Sequence, residues 1–150
     1  TVGATRGFEL EGQQVKTLSP PPGGWIYVYG HGINNLGEVV GWYTGATVNG
    51  FTYSNSTYQT ITFPGSSQTE VLGVNDSGIV VGWYVATGCL PCSFAYKNGK
   101  YISFSYPGAY GSGATSINNI GEIVGQYQLA DGSLHGFVTS PITTMDFDGR

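Results

Sequence analysis

Apolar positions along this chain fall in short segments with a period of two, each closed by a turn signal, and no segment shows helical periodicity. The pattern is clearest in three segments. Val39, Gly41 and Tyr43 share one face, as do Val80, Gly82 and Tyr84, then Ile123, Gly125 and Tyr127, because strand side chains alternate. The opposite face carries Glu38, Val40 and Trp42, then Ile79, Val81 and Trp83, then Glu122, Val124 and Gln126. Only the middle segment is apolar on both faces, which predicts a strand packed between layers and the most buried of the three.

A turn with Asn-x-x-Gly spacing precedes each segment: Asn34 and Gly37, Asn75 and Gly78, Asn118 and Gly121. Asn favours the first position of a type I turn, and a glycine with positive φ then closes a bulged three-residue hairpin loop. Asp76, alone at an otherwise Asn position, suits the same turn. A short strand is expected before each turn, at 25–29, 70–73 and 114–116. A variable loop, a Gly-Phe-type strand and a final strand at 58–63, 101–106 or 142–147 follow. Phe8, Phe51, Phe94 and Phe137 are spaced 43 residues apart. Four short strands in such a period predict an all-β repeat protein of propeller-like units; a β-sandwich or barrel built from the same hairpins is the alternative.

Three complete units are expected, at 25–66, 67–109 and 110–149, within a domain spanning 25–150. Residues 1–24 form an N-terminal half-unit: two short strands around Gly12, then the stiff connector Pro20-Pro21-Pro22-Gly23-Gly24. There are four Gly-Phe segments but three Asn turns. The half-unit, with Gly7, Phe8, Glu9, Leu10, Val15 and Leu18, therefore either completes the last unit of its own chain or reaches another copy.

Ile117-Asn118-Asn119-Ile120-Gly121-Glu122-Ile123-Val124-Gly125-Gln126-Tyr127 with His135-Gly136-Phe137 resembles the HAF family of probable bacterial extracellular repeats. The middle copy departs from that pattern with Cys92-Ser93-Phe94, and the first has Asn49 in place of His. The resemblance implies an exported repeat architecture and carries over no catalytic residue.

Composition narrows the partners. Nine acidic and five basic residues, with no Lys/Arg cluster, leave nothing to neutralise a phosphate backbone, so no nucleic-acid partner is expected. No apolar run reaches the roughly 18 residues of a membrane helix, so no membrane insertion is expected. The chain has no initiator Met and no signal-peptide pattern; it reads as a processed or trimmed chain, so the missing pattern does not count against export.

Candidate chemistry is sparse. Cys89-Leu90-Pro91-Cys92 has redox-motif spacing but no βαβ context, and is expected to be a structural disulfide clamping a loop outside the cell. His31 and His135 occupy different unit positions, and no nucleophile elbow accompanies them. Glu38 and Glu122 flank corresponding turns and read as solvated residues, not a glycosidase pair. Asp146 and Asp148 lack the spacing of a calcium loop. No catalytic residue, metal or cofactor is therefore expected. Trp42 and Trp83, at matching positions, are packing residues or could stack sugars. Asn55 begins a glycosylation sequon in an exposed turn; the sequon at Asn75 is better explained by its turn. The expectation is an extracellular or cell-surface, non-enzymatic structural protein that self-assembles, with filament formation by N-terminal strand donation as one route. The alternative is a carbohydrate-binding module with an aromatic face.

Overall fold

The computed structural model describes residues 7–17 and 26–148. Leu18 and the connector at 20–24 lie outside the described residues. Among the described residues, thirteen strands and one short helix make the fold all-β. Strands β1 (Phe8–Glu11) and β2 (Gln14–Thr17) form a separate two-stranded hairpin, with Leu10 opposite Val15. Strands β3 (Tyr27–Ile33), β4 (Val39–Thr44), β5 (Val48–Ser54) and β6 (Thr57–Ile61) make a first antiparallel meander. A second comprises β7 (Gln68–Val74), β8 (Val80–Ala86), β9 (Cys89–Lys97) and β10 (Lys100–Phe104). One parallel bridge, Val48 to Gln68, joins the two into an eight-stranded sheet. Strands β11 (Gly111–Ile117), β12 (Ile123–Gln128) and β13 (Leu134–Val138) form a third meander of only three strands. Among the described residues no sheet closes into a barrel.

Two sequence expectations need correction here. The first strand of each meander is longer than 25–29, 70–73 or 114–116 allows, because it contains a bulge, between Gly30 and Gly32, Val71 and Gly73, or Ala114 and Ser116. The final strand expected at 142–147 is absent, and the chain turns instead into helix α1 (Thr144–Asp148). The Asp146 carboxylate accepts hydrogen bonds from the Thr143 backbone N–H (2.6 Å) and hydroxyl (2.9 Å), a helix-capping arrangement. Phe147 is buried between the second and third meanders, which fixes the helix in place.

The bulges explain the glycine in each Val-Gly pair. Opposite each bulge lies Gly41, Gly82 or Gly125, and a β-carbon there would overlap the carbonyl oxygen of Tyr29, Glu70 or Gly113. Packing then proceeds meander on meander. Val40 and Ile61 of the first pack with Val71, Val80, Phe94 and Tyr96 of the second. Ile79, Val81 and Ala95 of the second pack with Ala114, Ile117 and Ile123 of the third. The middle meander is buried on both faces, as the alternation predicts. Val124, which corresponds to the wholly buried Val40 and Val81, is 44% exposed, so the outer face of the third meander is uncovered.

Candidate functional site

The Asn-Gly turns are the most elaborated feature of the molecule, and their geometry assigns them a connecting role. Gly37, Gly78 and Gly121 have φ of 79°, 74° and 90°, a region a β-carbon penalises. The Asn34 Oδ1 accepts from the backbone N–H of Leu36 (3.0 Å) and Glu38 (2.9 Å), stiffening its own loop. Its Nδ2 donates across to the Asn75 carbonyl (3.1 Å), and the Asn75 Nδ2 to the Asn118 carbonyl (3.2 Å). A second row runs beside the first. The Asp76 carboxylate accepts from the Asn35 N–H (2.9 Å), the Asn35 Nδ2 (2.8 Å) and the Asn119 Nδ2 (2.8 Å). The Asp76 N–H donates to the Asn119 Oδ1 (2.9 Å). These donors, the Asn35 side chain first and its backbone N–H next, hold the Asp76 carboxyl below the usual carboxylate range. The ladder ends at the third turn, where the Asn118 Nδ2 donates to its own Glu122 carboxylate at 2.7 Å.

The two ends of the stack differ. At one end, the N-terminal hairpin pairs with no other strand among the described residues. Its apolar face carries Phe8, Leu10 and Val15, each at least 60% exposed. Phe8 and Leu10 border a cavity of about 550 Å³ with Val28, Val39, Phe51 and Tyr53 of the first meander. Nearby, burial and then the neighbouring Tyr53 push the Tyr58 phenol up to about 12, so it stays protonated. At the other end, β13 pairs among the described residues only with β12, and Leu134 and Val138 are exposed. Ser116 stands where the first and second meanders have Gly32 and Gly73; β-carbons at those glycines would crowd the backbone of the next meander, at Leu72–Gly73 and Ser116–Ile117.

The tryptophans are not equivalent. Trp42 stacks on Tyr29, with ring centroids 4.1 Å apart, and lies beside His31. Among the described residues no ring stacks on Trp83, which instead borders a groove between the second and third meanders. That groove was not legible in the sequence, since it forms from residues of six strands of two meanders. Cys89 and Cys92 are disulfide-bonded, with S–S 2.13 Å. They lie in the first half of β9, not in a loop, because Thr87 and Gly88 alone make the preceding turn.

One constellation has the composition of a catalytic triad without its order. The Ser133 hydroxyl donates to the Asp131 carboxylate (2.6 Å) and lies 3.0 Å from the His135 Nε2. With its proton committed to Asp131, Ser133 is left to accept from an Nε2–H, so His135 is not placed to remove that proton; a triad puts the histidine between the other two. His135 also stacks on Tyr127. Glu38 and Glu122 serve their own turns, where Asn34 and Asn118 donate to them. Asn55 is exposed in a two-residue turn with Ser56, at φ of 49° and 61°. No helix of the described residues is long and apolar enough to cross a membrane. Comparison of the chain with protein-family models, curated proteins and solved structures finds no match.

Proposed function

We propose that this chain is an extracellular, non-enzymatic structural protein that assembles with copies of itself, the N-terminal hairpin of one copy adding to the open edge of the third meander of the next. The observation that carries this reading is the unequal strand count among the described residues: two meanders of four strands, a third of three, and a hairpin paired with none of them. The 43-residue spacing matches Phe8 with Phe51 and Phe94, so the hairpin corresponds to the outer half of a unit, which includes the strand the third meander lacks. Adding a strand to an exposed edge satisfies its row of unpaired backbone groups. Apolar side chains are exposed on both partners, on the hairpin and on β13. The hairpin is bordered by a cavity and joined to the first meander by no ladder, so releasing it breaks no inter-strand backbone hydrogen bond.

Addition at the edge is favoured over stacking of a further unit on the outer face. Ser116 in place of a glycine crowds that face. Head-to-tail addition that does not close on itself yields a filament. The meanders are read as propeller-like units arranged about β3, β7 and β11, whose backbones approach closely at Gly32 and Gly73. The disulfide and the resemblance of the turn motif to exported repeats support an extracellular setting, in which Asn55 is a candidate glycan acceptor.

The test is a deletion. Removing residues 1–24 is expected to leave a folded, monomeric protein with unchanged far-ultraviolet circular dichroism, while a peptide of residues 7–17 slows assembly of the intact chain. Assembly of the deletion variant to the same extent as the intact chain would sink the proposal.

A further inference from the structure

The junction of the first and second meanders and that of the second and third each carry a tryptophan at the same place, but what lies beside the two rings differs. At the first junction the β7 positions bear Gln68 and Glu70, hydrogen-bonded to each other at 2.9 Å. Burial raises the Glu70 carboxyl above its ordinary range, with Gln68 lowering it in part. Tyr29 stacks on the Trp42 ring at that junction. The positions 43 residues further on, in β11, are Gly111 and Gly113. The result is a cavity of about 310 Å³ bordered by Trp83, Gly113, Thr115, Gln126, Gln128 and Leu134, among others.

The two glycines have different causes. Gly111 is required by packing, since a β-carbon there would lie 2.7 Å from the Leu90 carbonyl oxygen and 2.8 Å from Pro91 Cδ in the disulfide-closed segment. Gly113 is not required. Its backbone has no positive φ, and a β-carbon would meet the nearest Trp83 atom at 3.4 Å, ordinary van der Waals contact. A side chain is tolerated at that position, as Glu70 is in β7, yet its absence here leaves space beside the indole. The side chain of Gln126, at the position of Trp42 and Trp83, makes no hydrogen bond within the described residues. Gln128 uses one amide hydrogen on the Gly132 carbonyl, at 3.3 Å, and its amide oxygen makes none. Tyr127 borders the groove, braced by stacking on Tyr106 at 4.0 Å and on His135.

We infer that this groove binds a neutral saccharide, one pyranose ring lying against Trp83 with its hydroxyls hydrogen-bonded by Gln126 and Gln128. The chemistry matches on each side. A pyranose presents an apolar face of C–H groups that suits an indole, and edge hydroxyls that both donate and accept, as primary amides do. Among the described residues no charged side chain borders the groove, which favours a neutral sugar over a uronic acid or a phosphate. The volume is at the small end for ligand sites, which fits one or two rings and not a long segment of polymer. This inference does not depend on self-assembly.

The experiment titrates the full chain with soluble neutral oligosaccharides of the cello-, chito-, xylo- and malto- series and with oligogalacturonate, reading tryptophan fluorescence and isothermal calorimetry. At least one neutral series is expected to bind saturably. Gly113→Glu, which installs the residue β7 carries, and Gln126→Ala are expected to weaken that binding at least about tenfold. Their thermal unfolding is expected to be unchanged, and Trp42→Phe is expected to bind as the parent does. The inference is overturned if no neutral series binds at about 10 mM, if oligogalacturonate binds more tightly, or if Gly113→Glu binds as well as the parent.

Discussion

A single methyl group at position 82 distinguishes a glycine placed for a bulge from one placed for a face. The sequence pattern reads Gly82 as one position on the strand face shared with Val80 and Tyr84. In the fold, a β-carbon there would overlap the Glu70 carbonyl oxygen across the bulge. Backbone must move to make room, so Gly82→Ala is expected to destabilise by about 3 kcal/mol or more, read from urea midpoints; a loss below about 1 kcal/mol would mean the bulge adapts. Asp76 teaches a related lesson. Its suitability for a turn is legible in the sequence. That it binds Asn35 and Asn119, 41 and 43 residues away, depends on how turns line up between meanders, which local pattern does not encode. Because its folded pKa lies below that of the unfolded chain, its contribution is present above about pH 4 and is lost as pH falls through the lowered value. Asp131 and Asp146 are also lowered and share the acid slope. Asp76→Asn is therefore expected to flatten part of the fall in stability below about pH 4 and leave neutral-pH behaviour changed by a constant; identical acid slopes for parent and variant would contradict this.

At the level of elements, alternation locates the strands well because most are half-buried, with apolar and polar faces. It fails at 142–147, where Pro141 precedes a Thr143–Asp146 cap that turns the chain helical before a fourth strand can form. The cost of that helix is an unpaired β13 edge, so the element the pattern misassigns is also the one the proposed function rests on. The cysteine pair is the second case. Read as a clamp on a loop, it lies within β9 and holds Leu90 and Pro91 against Gly111 of β11. A covalent loop this short removes little unfolded-state freedom, about 2 kcal/mol on the chain-entropy account. Reduction, or Cys89→Ser with Cys92→Ser, is expected to lower stability by no more than that amount and leave the fold intact, measured by urea unfolding with and without reductant. Unfolding of the whole chain on reduction would show that the clamp organises far more than its own segment.

For the whole molecule, the sequence makes legible the all-β class, because turn residues and alternating faces are local signals. Three things are not legible: which meander faces are covered, that the third unit stops at three strands, and that a groove opens beside Trp83. All three depend on contacts between units. Together they give a stack with unlike ends, a loosely bordered apolar hairpin at one and an open strand edge at the other. The proposed head-to-tail addition rests on these ends, because an exposed strand edge and an unpaired hairpin can satisfy each other's backbone groups. The most direct measurement is the mass of the intact chain by multi-angle light scattering across a dilution series. Self-assembly through these ends predicts species at multiples of 15.8 kDa, their mean mass rising with concentration. A single species of 15.8 kDa at every concentration would contradict it.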